Sequence, residues 1–228
     1  MQYNLLNMAA ILAGGLLSLL LRKKLSMRLV DAARVMANLC ILVVGIQGAI
    51  ATRNTMLMLL SAVLGGVAGT ALQIDAAFQR LGERLKGMVN SGDSRFSQGF
   101  VTVFMMQCIG SMAILGPINA ALKGDGSILM LKSVLDFVST LVYGAIYGSG
   151  VLLSGPFVFL YQSVIFLAAG LLSPLMTPEA VNEINAVGSL LILALSLNLL
   201  DIVKVKVADY LPAMLGPAIY YFVLSLFR

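Results

Sequence analysis

Two opposite charges lie four residues apart inside a long apolar stretch, at Lys132 and Asp136 in "KSVLDFVSTLVYG". On a helix this spacing places both side chains on one face, where they can pair. A charge at the centre of a membrane costs at least about 2.5 kcal/mol. Two roles are open: a structural ion pair that neutralises itself, or a site in which Asp136 binds a cation or proton and Lys132 is the resident counter-charge. Asp136 is the stronger candidate for a binding residue, because Lys132 lies near the outer end of the apolar stretch and its long side chain could extend towards that end.

The polar residues around this pair form a stripe on one face of the predicted helix. At 100° per residue they fall within about 100° of arc, and apolar side chains occupy the remainder. The stripe is about 22 Å long at a rise of 1.5 Å per residue, which is most of a hydrocarbon core of about 30 Å. This face must therefore lie against the bundle interior or a water-filled path. Its members are Lys132, Asp136, Ser139, Thr140, Tyr143 and Tyr147.

Amides in other apolar stretches are further candidates for the same site. Gln107 and Ser111 are four residues apart and are predicted to share a helix face, while Gln47 and Asn198 are further amides. A single amide is more often interhelical glue than a ligand. Amides and hydroxyls in a chain without histidine suit a hard cation or a small polar solute. Neither a cofactor nor a metal site is expected.

The composition identifies the elements that must position these residues. Of 228 residues, 60% are hydrophobic and 11% are charged, and the mean hydropathy is +0.97. Such values are typical of polytopic helical membrane proteins, so the predicted fold class is an all-α membrane bundle that forms one domain, 1–228. The eight apolar stretches are Tyr3–Leu21, Ala33–Ala51, Thr55–Leu72, Gly99–Ile118, Ser127–Gly148, Val151–Ser173, Ile184–Leu200 and Leu211–Phe227.

The basic residues predict an orientation in the membrane. With eight spans, the loops after the first, third and seventh stretches fall on one side and carry eleven Lys and Arg residues, against three on the other side. The positive-inside rule then places both termini outside. The pI of about 9.4 is thus a sign of topology, and no nucleic-acid partner is expected. The eleven are Arg22, Lys23, Lys24, Arg28, Arg34, Arg80, Arg84, Lys86, Arg95, Lys204 and Lys206, and the three are Arg53, Lys123 and Arg228.

Two stretches of the sequence resemble later ones. "ILAGGLLSLLL" (Ile11–Leu21) aligns with "FLAAGLLSPLM" (Phe166–Met176) at seven identical positions of eleven, and Leu39–Gly65 aligns with Leu190–Gly216. The first and sixth stretches are five crossings apart, so the repeats would be inverted, as in many transporters. The predicted arrangement is 3+2+3: repeat one at 1–72, an amphipathic linker at 73–98, a central pair at 99–148 and repeat two at 149–228. The alternative is an old duplication retained as a scaffold.

The third stretch of each repeat carries helix-weakening residues at matching places. "LSAVLGG" aligns with "LPAMLGP", so breaks are predicted at Gly65 and at Gly216–Pro217. Carbonyls freed in a membrane need protein, water or an ion as partner, and matched interruptions point to a binding site. The opposing interpretation is a kink filled by neighbouring side chains. Gly144 and Gly148 also form a GxxxG pattern, which suits either a homodimer seam or a crossing within the chain.

An enzymatic function is not expected. Ser133 and Lys132 are the residue types of a serine–lysine dyad, but adjacent helix positions diverge by 100°. The chain has no histidine and lacks the sequence motif of a zinc protease.

The sequence resembles the bacterial inner-membrane family of unknown function typified by the YdfK and YqgA proteins. The resemblance rests on "AILAGGLLSLLLRKKL", "SRFSQGFVT", "LKSVLDFVSTLVYG", "YQSVIFLAAGLL" and "VKVADYLPAMLGP". It implies an integral protein of the bacterial cytoplasmic membrane, with a loose association with biofilm formation in one branch. It implies no catalytic residues.

The predicted function is a small, dimeric transporter or channel for a monovalent cation, a proton or a small polar solute. The stripe would line its path and the broken third helices would complete its site. The alternative is a scaffold or sensor that does not transport, in which Lys132 and Asp136 form a dry structural pair. The substrate, direction and energy source do not follow from the residues.

Overall fold

The computed structural model describes residues 1–22, 26–89 and 92–227. Lys23, Lys24 and Arg228, which entered the topology prediction, lie outside the described residues. The described part is helical and contains no strand. Its helices are α1 (Gln2–Arg22), α2 (Met27–Ile50), α3 (Thr55–Ala71), α4 (Ile74–Met88), α5 (Phe96–Cys108), α6 (Met112–Leu122), α7 (Ser127–Tyr147), α8 (Ser154–Leu167), α9 (Ala169–Leu172), α10 (Pro178–Leu199) and α11 (Leu215–Leu226), with 3₁₀ helices at Ser149–Leu153, Ser173–Leu175 and Val207–Met214.

The predicted all-α polytopic bundle is confirmed. Within the described residues, six helical segments are long and apolar enough to cross a membrane, and the number rises to eight if each of two bent helix pairs is one span. The bent pairs are α3 with α4, at 53°, and α5 with α6, at 58°. Many leucines and valines of α2 and α3 are exposed, which suits helices whose outer faces contact lipid.

The fourth apolar stretch is not one straight helix. We predicted a continuous segment with Gln107 and Ser111 on one face, and this is wrong, because α5 ends at Cys108 and α6 begins at Met112. Gly110 between them has φ +110°, a conformation that glycine adopts at little cost. The Ser111 N–H donates to Asn185 Oδ1 at 3.0 Å. This side-chain acceptor replaces a backbone partner lost at the break.

Of the two helix breaks predicted in the third stretches of the repeats, one differs from the structure. The break predicted at Gly65 is wrong, because α3 runs unbroken from Thr55 to Ala71. In the second copy, a 3₁₀ helix containing Pro212 ends at Met214 and α11 starts at Leu215, next to the predicted position at Gly216–Pro217. The proline lacks an N–H and crowds the preceding turn, whereas a glycine alone permits helix continuation.

The helices begin where local capping chemistry allows. The Asn54 side chain accepts from the Leu57 N–H at 3.0 Å and opens α3. Thr177 accepts from the Ala180 N–H at 3.2 Å, and Pro178 follows as the first residue of α10. Each cap satisfies one of the N–H groups that a helix start leaves without a partner.

The chain divides into two compact units, each made of separate segments: unit 1 comprises Met1–Ala37, Ala77–Cys108 and Met112–Leu167, and unit 2 comprises Asn38–Ala76, Ile109–Ser111 and Ala168–Arg228. The repeat boundaries given above stay a prediction.

In unit 1, α1 packs along α7 with the two helices running in the same direction. The Tyr3 ring lies at Gly126, the Asn7 side chain reaches Asp136, and Ser18 lies at Gly144. A Cβ at Gly144 would overlap the Ser18 hydroxyl, so this half of the GxxxG pattern serves an intramolecular crossing. A homodimer would therefore need another seam.

The amphipathic helix α4 follows α3 after two residues and packs partly on α5. The Phe78 ring lies 5.6 Å from that of Phe104, and Gly82 faces Ser97. Its opposite face, with Gln79 and Glu83, is exposed, as its amphipathic pattern predicts.

In unit 2, the repeat-matched helices pack on each other in antiparallel pairs. The C-terminal half of α2 crosses α10, where Asn38 Nδ2 donates to the Leu199 carbonyl at 3.2 Å and Ser196 Oγ donates to the Asn38 carbonyl at 2.6 Å. α3 crosses the 3₁₀ segment Val207–Met214 so closely that a Cβ at Gly65 would overlap the Ala213 backbone. Gly65 therefore allows a close helix approach rather than a break.

Two buried carboxylates hold turns of unit 2 together. Asp209 is 3% exposed and accepts from the Asp75 N–H at 2.8 Å, at the start of α4. Glu183 is 1% exposed and accepts from the Arg53 N–H at 2.7 Å and from the Thr52 hydroxyl. These acceptors satisfy backbone donors that the turns leave unpaired.

Candidate functional site

The centre of the candidate site is a closed ion pair on α7. Lys132 Nζ lies 2.9 Å from Asp136 Oδ1 and 2.7 Å from Oδ2, and each residue is only 5% exposed. The lysine does not extend towards the nearer end of the helix, although its position would allow this. Its ammonium instead points along the helix to the carboxylate, which neutralises the charge of both groups.

Neighbouring polar side chains extend the pair into a network within unit 1. Asn7 of α1 donates from Nδ2 to Asp136 Oδ2 at 3.0 Å. Thr140 donates to the Asp136 carbonyl at 2.6 Å, and Gln107 of α5 donates from Nε2 to the Thr140 hydroxyl at 2.8 Å. Ser139 also donates to the Asp136 carbonyl, at 3.0 Å. The structure thus brings Gln107 to the predicted stripe and adds Asn7 from a different helix.

Several buried amides in this unit lack hydrogen-bond partners in the protein. Both amide atoms of Asn4 and of Gln162 are unpartnered, although each residue is 0% exposed. Asn7 Oδ1 and Gln107 Oε1 are unpartnered as well. A buried polar atom without a partner costs about 1–3 kcal/mol, so these atoms favour occupancy of the region by water or a polar solute.

The packing of α5 on α8 indicates where Gln162 lies along the unit. The Phe157 ring is 5.0 Å from that of Phe100 and 6.2 Å from that of Phe104. One turn further on, Tyr161 is close enough to Cys108 to interact with it electrostatically. Tyr161 therefore lies beyond Phe157 towards the end of α5 that carries Cys108, and Gln162 is the next residue of α8.

The rest of the stripe is aromatic. The rings of Tyr143 and Tyr147 stack, with centroids 6.1 Å apart and planes 6° from parallel, and both residues are almost fully buried. Two parallel rings on one helix face fill the space between the hydrogen-bonded network and the end of α7.

An ion pair between the end of α1 and the loop before α5 closes that end of unit 1. Arg22 Nη1 lies 2.9 Å from Asp93 Oδ2, which also accepts from the Ser149 N–H at 3.4 Å, while the Arg95 N–H donates to Oδ1 at 3.1 Å. Gly148, with φ +84°, lies so close that a Cβ there would overlap both side chains. The loop carboxylate thus joins the ends of α1 and α7.

We expect Asp93→Asn to lower stability by about 1 kcal/mol, the usual upper value for a partly exposed pair. Partial burial raises the pKa of Asp93, but the hydrogen bond from Arg22, two backbone N–H groups and the Arg22 charge together outweigh it and hold the pKa below the ordinary 3.8. A lowered carboxyl pKa stabilises the fold above pH 3.8, and this stabilisation is lost as pH falls through the lowered value.

Melting curves of wild type and Asp93→Asn in detergent, recorded from pH 7 down to pH 2.5, check this. The difference in Tm between the wild type and Asp93→Asn should narrow below pH 3.8. The matched control is Asp125→Asn, whose exposed carboxylate accepts from the Ser127 N–H at 2.9 Å. Hydrogen bonds from Ser127 lower the pKa of Asp125 as well, so its difference in Tm should narrow over the same pH range but be smaller than that of Asp93→Asn. A gap for Asp93→Asn that stays constant with pH contradicts the assignment.

The other predicted site residues belong to unit 2 and have contacts of their own. Gln47 is exposed on α2. Asn198 closes the loop after α10, where Oδ1 accepts from the Val205 N–H at 2.7 Å and Nδ2 donates to the Val205 carbonyl. Gly216 lies against Ser61 of α3, and Pro217 is buried in the first turn of α11. Gly65 contacts Ala213, as described above.

The residues of the conceivable dyad have different partners. Ser133 Oγ donates to the Leu129 carbonyl at 2.7 Å, and Lys132 binds Asp136. The hydroxyl therefore has no base positioned to activate it.

Asn4 and Asn7 were missed in the sequence, although a signal was present. Together with Ile11 and Ser18 they recur at intervals of three, four and seven residues, and these are among the buried residues of α1. A polar residue at a buried helical interval is the pattern that would have identified them. The stretch is so apolar on average that its hydropathy does not indicate this pattern.

Comparison with known proteins places the chain among uncharacterised membrane proteins. Residues 4–222 match the model of the family described as "Protein of unknown function (DUF554)". The chain is 31% identical to the uncharacterized membrane protein YdfK of Bacillus subtilis over 77% of its length and 74% of the relative's. It is 28% identical to the uncharacterized protein YqgA of Escherichia coli over 92% of each. No solved structure matches the chain.

Proposed function

The chain belongs to the DUF554 family of membrane proteins, and we propose that it is a transporter that moves a small polar solute or a cation through the buried polar core of unit 1. The observation that carries this proposal is the set of unpartnered amides, Asn4 and Gln162 above all, in the same unit as a closed ion pair. A purely structural core would be more stable with apolar side chains at these positions.

The packing of unit 2 supports an inverted repeat. Its matched helices, α2 with α10 and α3 with the segment from Val207, cross in antiparallel directions, as inverted halves require. We place the protein in the bacterial cytoplasmic membrane with both termini outside, from the distribution of its basic loops. The function proposed is not enzymatic, and a homodimer would use the lipid-facing surfaces of α2 and α3 rather than Gly144.

A scaffold or sensor is the second candidate, and one observation favours it. Both oxygens of Asp136 already accept hydrogen bonds, as expected of a dry structural pair. Access of water to the stripe separates the two candidates.

The test introduces a single cysteine in a Cys40→Ser/Cys108→Ser background and labels it in membranes with a membrane-impermeant thiol reagent. We expect Thr140→Cys to react, because a transporter opens the stripe to water during its cycle. The matched control is Ser154→Cys, because Thr140 and Ser154 are both 0% exposed. The Thr140 hydroxyl donates to a nearby carbonyl at 2.6 Å, and the Ser154 hydroxyl does so at 2.8 Å. Equal labelling of the two cysteines would favour the scaffold.

A further inference from the structure

We propose that the small polar solute is a monovalent anion that crosses together with a proton, in place of a cation, an inference that rests on the transport function proposed above. Asp136 takes the proton and Lys132 binds the anion. The chemistry recognised is a compact anion that accepts hydrogen bonds, either a small carboxylate or an inorganic anion.

Charge balance in the buried pair carries this assignment. Lys132 and Asp136 are each 5% exposed and form a pair with no net charge. An uncompensated charge in such a place costs several kcal/mol, so the solute-bound state must also be close to neutral. A cation added to the pair leaves one positive charge in excess. A proton on Asp136 together with an anion on Lys132 leaves none.

The coordination of Asp136 also disfavours a metal cation. Its two oxygens accept Lys132 Nζ at 2.9 and 2.7 Å, and Oδ2 accepts Asn7 Nδ2 at 3.0 Å. A metal ion prefers several oxygen ligands at once and would have to displace the ammonium. No group of three or more acidic, histidine or cysteine side chains that could hold a metal occurs in residues 1–22, 26–89 and 92–227.

Protonation of Asp136 creates the anion site directly. A proton from water forms an O–H bond on one carboxylate oxygen, and the hydrogen bonds from Lys132 to that carboxylate are released. The lysine keeps its three protons and its charge, so it becomes a donor without an ionic partner. Two further N–H donors in the unit are already buried and unpartnered, Asn4 Nδ2 and Gln162 Nε2.

The described elements that pack against α7 carry few titratable groups. On α7 the titratable side chains besides the pair are Tyr143 and Tyr147, and α5 contributes the buried thiol of Cys108, which interacts electrostatically with both members. α1 carries Tyr3 near its start, where the ring lies at Gly126, and Arg22 at the far end, bound to Asp93, and the chain's amino group precedes Gln2. The helices α6 (Met112–Leu122) and Ser149–Leu153 contain no titratable residue.

The experiment uses the full-length protein in liposomes loaded with the pH dye pyranine, with equal pH on both sides and the voltage held at zero by valinomycin and equal potassium. Inward gradients of chloride, nitrate or L-lactate are applied in separate arms, and a sodium gradient in another. We expect an anion gradient to acidify the lumen faster than in protein-free liposomes. The anion that is most effective tells an inorganic anion from a carboxylate.

Two variants test the roles of the pair. Asp136→Asn imitates the protonated acid, so we expect it to lose anion-driven acidification but to keep movement of the radiolabelled anion. Lys132→Met is expected to lose both, and Lys123→Met, which removes an exposed lysine, to lose neither. Lys132→Met leaves the carboxylate of Asp136 without its partner, so only monodisperse protein is assayed. If Lys132→Met does not fold, Asp136→Asn by itself still tests whether Asp136 is the proton site.

The outcomes separate this inference from the transport function. Sodium-driven proton movement or sodium uptake, with no response to any anion, would overturn the anion–proton assignment and leave transport in place. Thr140→Cys labelling no greater than that of Ser154→Cys, with no flux in any arm, would overturn both. Anion-driven acidification that survives in Asp136→Asn would remove Asp136 as the proton site.

Discussion

Replacing either member of the Lys132–Asp136 pair alone by an apolar side chain is expected to destabilise the protein by about 3–5 kcal/mol. Lys132→Met leaves a carboxylate, and Asp136→Leu leaves an ammonium, in a place where each parent residue is 5% exposed. The double variant Lys132→Met/Asp136→Leu removes both charges with apolar side chains, of which Leu keeps the branching of Asp, and we expect its stability to lie close to that of the wild type.

Thermal unfolding of unit 1 can be followed through a thiol that is already in place. Cys108 is buried and Cys40 is exposed, so in a Cys40→Ser background a thiol-reactive dye reports the opening of α5. The wild type and the double variant should have high Tm values, and both single variants should have low ones. If the double variant loses as much stability as the two single variants lose together, the unpaired charge is not the origin of the loss.

The same set of variants separates stability from function. A double variant that folds like the wild type but no longer moves protons in the liposome assay would show that the charges are retained for activity. This is the expected result, because buried ion pairs can often be replaced by apolar residues without loss of stability.

Gly69→Ala is expected to disrupt the crossing in unit 2, at a cost of about 3 kcal/mol, the upper end of the range for overpacking. A Cβ at Gly69 would overlap the carbonyl oxygen of Asp209, and one at Gly65 would overlap the Ala213 backbone. Backbone cannot rotate away as a flexible side chain can. Gly65→Ala should therefore behave in the same way.

The matched control for the crossing is Gly87→Ala in α4, where a Cβ would have no atom within 4 Å. Alanine is favoured over glycine in a helix by up to about 1 kcal/mol, so this variant should be neutral or slightly stabilised. The measurement is the fraction of a fluorescent fusion that stays monodisperse after heating in detergent. A Gly69→Ala protein as stable as Gly87→Ala would mean that α3 and the segment from Val207 are not in close contact.

The sequence by itself determined the membrane class, the positions of the spans and the polar face of α7. Hydropathy reports the free energy of leaving water, which depends on local composition, and a helical wheel needs only the fixed angle per residue. Lys132, Asp136 and Thr140 could be placed on one buried face for that reason.

Only the tertiary structure decided which groups meet that face. Asn7 lies 129 positions before Asp136, and no local pattern specifies that α1 rather than another helix packs there. The role of Gly65 was likewise undetermined, because glycine weakens a helix and also permits close packing. The Ala213 backbone opposite Gly65 selects close packing. In the same way, the Asp75 N–H decides that the carboxylate of Asp209 is a hydrogen-bond acceptor for a turn.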